Sequence, residues 1–173
     1  RKKKMKLSLN VKGEGYAVHS KLLLLEGTAA ARAREEQEGT DGAVLDSGAG
    51  IPLGGEGITD LKPAPHVNVV DFGLVHLNQS SSKILAIANT GKFNFDYVLD
   101  RGDSPNPMLV MTGARQAGAV RKNGRVQASL TFHPVTPCQL DGGIYTVSIA
   151  GKYEYILKLA GTGAAPNLRF SFL

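Results

Sequence analysis

Cysteine, tryptophan and long apolar runs are scarce or missing in this 173-residue sequence, which has one Cys, no Trp and 6% aromatic residues. The single thiol of Cys138 has no partner for an internal disulfide. A secreted scaffold held by disulfides and a zinc site of several thiolates are therefore both excluded. The longest apolar run has five residues, 84–88, and the four leucines 22–25 are among the next in length. Both are far short of the roughly 20 residues that a membrane helix needs. These absences favour an intracellular protein that does not cross a membrane.

Charge is unevenly distributed along the chain, although the net charge is only +5. Residues 1–26 carry seven basic and two acidic side chains, residues 27–61 carry two and seven, and residues 62–173 carry eleven and six. The middle segment also holds eight of the 21 glycines. Because it has too little apolar surface to offset chain entropy, it is predicted to be a mobile insert or linker. Within it, residues 28–38 have a weak helix pattern with Thr28 as the candidate cap.

Most of the remaining chain alternates apolar and polar residues, which is typical of a strand with one buried face. The alternating apolar sets are Met5, Leu7, Leu9 and Val11; Phe93, Phe95, Tyr97 and Leu99; Val126, Ala128, Leu130 and Phe132; Tyr145, Val147 and Ile149; and Tyr153, Tyr155, Leu157 and Leu159. Turn sequences such as Asn123-Gly124 separate these sets. Six or seven short strands without a long helical pattern predict an all-β fold, an antiparallel sandwich of the immunoglobulin-like type.

One motif occurs twice in the sequence. A strand pattern ends in Gly13-Glu-Gly15 near the start of the chain and in Gly161-Thr-Gly163 near its end, and an apolar stretch follows each. The repeat predicts a tandem array, in which residues 1–15 close one module, 16–163 form a complete module with its insert at 27–61, and 164–173 open a third. Chance is the alternative explanation, since Gly-x-Gly is a common turn. Each partial strand would have an unpaired apolar edge, so both are expected to dock on the complete module or on a neighbouring molecule.

Three stretches carry a family resemblance: Val69-Val-Asp-Phe-Gly73, the strand from Ile84 that ends in Asn-Thr-Gly91, and Leu130-Thr-Phe-His-Pro134. They resemble the ASH domain, an immunoglobulin-like module related to major sperm protein. The resemblance covers about residues 62–173 and, more weakly, residues 1–25. Core packing and turn formation explain the motif residues without any ligand. These structural residues are Asp71, Phe72, Gly73, Asn89, Gly91, Phe132, Pro134, Gly161 and Gly163.

Tandem modules of this family are found in large proteins of the central-pair apparatus of motile cilia. The resemblance therefore implies a non-enzymatic structural segment of a ciliary or flagellar axoneme, needed for cilium motility and acting through protein–protein contacts. Its implied partners are axonemal proteins, with the tubulin of microtubules as a candidate, and neighbouring modules of the same chain. No cofactor, small-molecule substrate, nucleic acid or membrane is expected as a partner.

Residue types that carry catalysis or bind metals are present but lack the required spacing. The four histidines, at 19, 66, 76 and 133, have no metal-ligand pattern, and Cys138 has no partnered histidine motif. The Gly-x-Gly pairs lack a third glycine and precede strands rather than a helix. The Asp-Phe-Gly at 71–73 is not accompanied by the other loops of a kinase. We therefore expect no enzyme, and no catalytic, cofactor-binding or metal-binding residue.

Two basic clusters are the candidate partner-binding features. One comprises residues 1–4 with Lys6, and the other comprises Arg115, Arg121, Lys122 and Arg125 within residues 111–135, a stretch with no acidic residue. Such clusters attract polyanionic partners through long-range forces that salt screens, and the acidic surfaces and tails of tubulin would fit. A solvated hairpin that keeps an edge strand from aggregating explains the second cluster equally well. Nucleic acid is less favoured, because the aromatic residues needed for stacking occupy core-facing positions.

An extracellular adhesion module is the alternative function. Arg101-Gly-Asp103 resembles the integrin-binding loop of fibronectin type III modules, which are also cysteine-poor sandwiches. A match of three residues is weak, and the sequence lacks the Trp that such cores usually hold. A signal peptide in a longer sequence would favour adhesion, whereas a long array of similar modules would favour the scaffold.

Overall fold

The structure of the chain is a computed structural model, which describes residues 17–38, 44–45, 55–102 and 106–167. Two stacked β-sheets make up the fold. The elements are β1 Ser20–Leu25, α1 Gly27–Glu38, β2 Val44–Leu45, β3 Ile58–Asp60, β4 Val67–His76, β5 Ser81–Asn89, β6 Phe95–Asp100, β7 Leu109–Thr112, β8 Ala117–Val120, β9 Arg125–Phe132, β10 Cys138–Ile149 and β11 Tyr153–Ala164. Sheet A has the order β2-β9-β5-β1-β3, with β7 also paired to β9, and sheet B has the order β4-β11-β10-β6-β8. The predicted immunoglobulin-like β-sandwich is confirmed, although it is not wholly antiparallel, because β4 pairs with β11 in parallel.

The main core lies between the inner faces of the two sheets. The alternating residues of β6, β9, β10 and β11 that the sequence assigns to buried faces nearly all lie there, Tyr153 being only partly buried. Phe93 differs, with 48% of its surface exposed, because β6 begins two residues later and Phe93 lies in the preceding loop. Strict alternation therefore identifies the buried side of these strands and is less accurate about where they begin.

Sheet A also has a smaller apolar layer on its outer face. In β1, Leu22 and Leu24 point into the main core, whereas Leu23 and Leu25 point outward, and all four are buried. Helix α1 covers the outward pair with three buried alanines, and β5 contributes Ile84 and Ala86 to the same cluster. A strand buried on both faces loses its alternation, which explains the continuous run of leucines.

The structure differs from the mobile-insert interpretation over part of residues 27–61. The weak helix pattern forms α1, and residues 58–60 form β3, which pairs with β1 at the edge of sheet A. Local composition argued against order, but the helix adds its alanines to an apolar face that the sheet already provides. Packing against that face stabilises a helix that propensity alone would not.

Several predictions fall on residues that the structure does not describe. These are the strand pattern of residues 5–11, the first Gly-x-Gly copy, the basic cluster at 1–6 and the apolar stretch that follows residue 167. The division of the chain into a closing strand, a complete module and an opening strand therefore stays a prediction. Within the described part of the chain, no helix is both long and apolar enough to cross a membrane.

Candidate interaction surfaces

Five of the predicted structural residues meet at the end of the sandwich where β4, β9 and β11 finish. The rings of Phe72 and Phe132 lie with centroids 5.8 Å apart. A Cβ at Gly161 would lie 3.2 Å from the Cβ of Phe72, and one at Gly163 would lie only 2.4 Å from the Cβ of Pro134. The second Gly-x-Gly is therefore the place where β11 passes closely over two rings and a proline, which leaves no room for a side chain at 163.

The Asp-Phe-Gly sequence forms a turn-like irregularity within β4. The backbone N–H of Gly73 donates to Oδ1 of Asp71 at 2.8 Å, and Gly73 has a positive φ of 68°. The pairing of β4 with β11 shifts register at the same point, between Ala160 and Thr162. The Asp71 carboxylate therefore stabilises its own backbone, and Phe72 is directed into the core.

Asn89 links the loops at the opposite end of the sandwich. The residue is only 3% exposed. Its side-chain amide donates to the carbonyls of Phe93 at 2.8 Å and Val120 at 3.1 Å. Its Oδ1 accepts from the N–H of Gly91 at 2.9 Å, and its own N–H donates to the carbonyl of Gly124. A buried amide with all these partners fixes two loops relative to each other.

The four residues of the predicted basic patch divide between the two ends of the molecule. Arg121 and Lys122 follow β8, and Arg125 begins β9, so these three surround the turn at 121–124. Arg115 precedes β8, and six residues of extended chain, roughly 20 Å, separate it from Arg121. Arg115 lies beside Tyr97. Burial raises the pKa of the Tyr97 phenol, and the backbone hydrogen bond and the charge of Arg115 partly oppose that increase.

Basic side chains from other parts of the sequence join the three at this end, which we call the basic end. It consists of the loops 17–19, 61–66, 90–94, 121–124 and 150–152 with the strand residues next to them. These are the first residues of β1, β4, β6, β9 and β11 and the last residues of β3, β5, β8 and β10. The strand registers bring these loops together. Its Lys and Arg side chains are Lys21, Lys62, Lys92, Arg121, Lys122, Arg125 and Lys152, and it also holds His19 and His66.

Carboxylates are fewer at the basic end than cations. Among the described residues they are Asp60, Asp96 and Glu154, and Asp60 lies 3.4 Å from the Lys21 ammonium. The rest of the sandwich, helix α1 apart, is more balanced and carries Lys83, Arg101, Arg115 and Lys158 with Glu26, Glu56, Asp71, Asp100 and Asp141. Positive charge is thus concentrated at one end of the molecule.

A groove of about 350 Å³ opens at the basic end, between the start of β1 and the start of β11. It is lined by Val18, His19, Ser20, Lys21, Pro63, Thr90, Tyr153 and Tyr155. Burial raises the pKa of the Tyr155 phenol and Asp60 adds to the increase, whereas a hydrogen bond with the Ser20 side chain lowers it. The groove therefore has hydroxyl groups on its walls, and Lys21, paired with Asp60, is the one Lys or Arg among its lining residues.

This cluster cannot be recognised directly in the sequence, because its members are separated by up to 131 positions. A weaker signal was available, since Lys92, Lys122 and Lys152 each adjoin a predicted turn. Alternate turns of an antiparallel sandwich lie at the same end. Counting turns along the chain would have assigned these three lysines to one surface.

The outer face of sheet B forms a second exposed surface. Val67, Val69, Val98 and Ile144 project from it and are 45–57% exposed. In the strand registers Lys158 lies between Val69 and Ile144. No helix in the described part of the chain covers this face, so it differs from the outer face of sheet A.

Other predicted features contribute less to a site. Arg101 and Gly102 are exposed after β6, and Asp103 lies outside the described residues. Cys138 is half-buried, with its Sγ 3.3 Å from the Sδ of Met108. No group of three or more potential metal ligands occurs in the ranges that the structure describes.

Comparison with known proteins finds relatives whose sequences align with nearly the whole chain. No family model matches the chain. The hydrocephalus-inducing protein (hydin) of Mus musculus is 24% identical over 172 residues, which is 99% of this chain and 3% of that protein. The chain is similar to hydin. The Homo sapiens homolog is 23% identical over 171 residues, and the chain likewise covers 3% of its length. The expected resemblance is therefore confirmed.

Two solved structures align with part of the chain. The ASH/PapD-like domain 7 of human CEP192 aligns at a TM-score of 0.43 and 14% identity, over 60% of this chain and 84% of that domain. WR4, an MSP family member of C. elegans, aligns at 0.38 and 12%, over 58% and 96%. The fold assignment rests on the two sheets of the structure itself. The alternative function, an adhesion module that uses Arg101-Gly-Asp103, is not favoured.

Proposed function

We propose that this chain is a non-enzymatic scaffold segment of a ciliary or flagellar axoneme protein of the central-pair apparatus, and that it supports cilium motility through protein–protein contacts. The observation that carries the proposal is the similarity to hydin over 99% of the chain. The chain covers only 3% of that protein, so the function belongs to one piece of a much longer scaffold. Its contacts would come from loop ends and sheet faces rather than from a reaction cleft.

The tandem arrangement belongs to the same proposal. Residues 16–163 would form one complete module, with strands of adjacent modules at 1–15 and 164–173. The close passage of β11 over Pro134 at Gly163 supports this, because it gives the second Gly-x-Gly a definite packing role at the end of a module. Neighbouring modules of the same chain would then be the first partners of this segment.

Deleting this segment from the parent gene of a motile ciliated cell tests the axonemal role. We expect cilia of normal length with impaired beating, measured by high-speed video microscopy, and restoration of beating by the wild-type segment. A tagged parent protein should be found along the axoneme. Normal beating after the deletion, or a tagged protein outside cilia, would contradict the proposal.

Tubulin is the candidate partner of the basic end. The chain should co-sediment with microtubules at low salt and be released as salt rises, because salt screens the attraction. Arg121→Glu with Lys122→Glu should weaken the binding, whereas Arg101→Glu with Arg115→Glu, away from the basic end, should not. Equal binding by both double variants would remove tubulin as a partner of this surface.

A further inference from the structure

The basic end brings together charges and a groove that no single segment of the sequence contains. Seven Lys and Arg side chains from five loops face three carboxylates within the described residues. Of these, Lys62, Lys92, Arg121, Lys122 and Lys152 are exposed. Such a concentration of one sign of charge attracts ligands of the opposite sign.

Hydrogen bonds hold the five loops in place relative to one another. Thr90 donates through its N–H to the carbonyl of His19 at 3.0 Å, and Lys122 donates through its N–H to Oδ1 of Asn94 at 2.9 Å. Ala64 donates to the carbonyl of Glu154 and Ala150 to that of Asp96, each at 2.7 Å. Together with buried Asn89, these contacts make a pre-organised surface, which reduces the entropy lost when a ligand binds.

The groove makes this surface suitable for an extended chain. It lies between β1 and β11, and the hydroxyl groups of Ser20 and Thr90 lie along it. The Thr90 hydroxyl donates to the carbonyl of His19 at 3.3 Å, and the Ser20 hydroxyl is hydrogen-bonded to Tyr155. Both oxygens can still accept from the N–H groups of a peptide, and Lys21 at the groove wall adds a positive charge. Lys152, with its ammonium 5.2 Å from the centroid of the Tyr153 ring, lies beside the groove.

We propose that the basic end is a docking surface for an acidic, extended protein segment, which lies along the groove with its carboxylates on the surrounding Lys and Arg side chains. This inference rests on the proposed protein-contact function and specifies the chemistry of the partner. A protein segment is favoured over a nucleic acid, because among the described residues of the basic end only the rings of Phe93 and Tyr153 are not buried, too few for successive bases to stack.

A labelled peptide of alternating glutamate and glycine, with twelve glutamates, is the probe, and fluorescence anisotropy measures its binding to the whole chain. We expect the combined variant Lys92→Glu, Arg121→Glu and Lys122→Glu to weaken binding at least tenfold at low salt. The matched control is Arg101→Glu, Arg115→Glu and Lys158→Glu, which reverses the same number of charges away from the basic end and should change affinity less than twofold. Thr90→Glu places a negative charge at the groove and should weaken binding severalfold.

Three results would overturn the inference. The first is equal weakening by the triple variant and its control, and the second is unchanged binding by Thr90→Glu. The third is binding of an oligothymidylate of equal charge as tightly as the glutamate peptide. The test is independent of cilia, so failed peptide binding beside a motility defect would remove this inference alone, and peptide binding without a defect would remove only the axonemal role.

Discussion

The outer faces of the two sheets differ in whether a helix packs against them. In sheet A, the outward side chains of β1 and β5 are buried beneath α1, and each strand contains an apolar run, at 22–25 and 84–88. In sheet B, the outward side chains of β4 and β6 alternate with buried ones and remain exposed. Val67 and Val69 of β4 are apolar and yet remain exposed, so a packed helix, more than the apolar sequence itself, decides whether an outer face is buried.

The largest expected effect comes from removing a side chain from the covered face. Ile84 of β5 is fully buried beneath α1, so Ile84→Ala should lower the free energy of unfolding by about 2–5 kcal/mol. Val69→Ala on the open face of sheet B, where the side chain is 57% exposed, should cost less than about 1 kcal/mol. Urea unfolding followed by circular dichroism measures both, and equal losses would mean that the two faces do not differ.

The next effect concerns the close packing of β11 in sheet B. Gly163→Ala should destabilise the fold by about 1–3 kcal/mol, since overpacking forces neighbouring backbone to shift. Here the new Cβ would meet the ring of Pro134. Gly143→Ala in β10 is the control, because a Cβ at residue 143 would lie 3.5 Å from the nearest atom, Cδ1 of Leu159, which is an ordinary van der Waals distance. A thermal midpoint for Gly163→Ala as high as that of the control would show that the passage over Pro134 is looser than described.

Undocking α1 would make the covered face resemble the open one. Ala33 is fully buried against sheet A, and a charge there would detach the helix rather than unfold the sandwich, at a cost of about 1–2 kcal/mol. Ala33→Glu should therefore increase hydrogen exchange in α1 and β1 while β10 and β11 remain protected. Arg32→Glu, at an exposed position of the same helix, should leave exchange unchanged. Loss of protection in all strands would mean that α1 is integral to the whole core.

The smallest effect concerns the inner face of sheet B. Burial raises the pKa of Tyr145, with Arg101 partly opposing it, so the fold favours the neutral phenol. The stability it contributes is present below about pH 10, the usual pKa of tyrosine, and is lost as pH rises through the higher folded value. Its hydroxyl has no hydrogen-bond partner among the described residues.

Tyr145→Phe should therefore be neutral or stabilising by up to about 1 kcal/mol at pH 7. It should also reduce the stability that the protein loses in more alkaline solution. Urea unfolding at neutral pH and near pH 11 measures both effects, and Tyr97→Phe provides a comparison, because that phenol has a backbone partner in Arg115. A clear loss of stability for Tyr145→Phe at pH 7 would indicate a partner for the hydroxyl.

Much of the fold could be predicted because alternation and turns are local. The buried residues of β6, β9, β10 and β11 were identified from their spacing alone, and the turn at Asn123 has the positive φ of 56° that its sequence favours. The basic end was predicted only in part, since three of its cations are close in sequence and the others come from distant loops. Arg115 was grouped with those three by sequence proximity, although a strand carries it to the other end.

Strand periodicity, turn positions and the excess of positive charge were determined by the sequence itself, because each depends on neighbouring residues and their side-chain chemistry. The docking of α1, the close approach of Gly163 to Pro134 and the gathering of seven cations at one end were decided by the tertiary structure. Each of these depends on how strands far apart in the chain pair and stack. That arrangement is set by the whole core and not by any one segment.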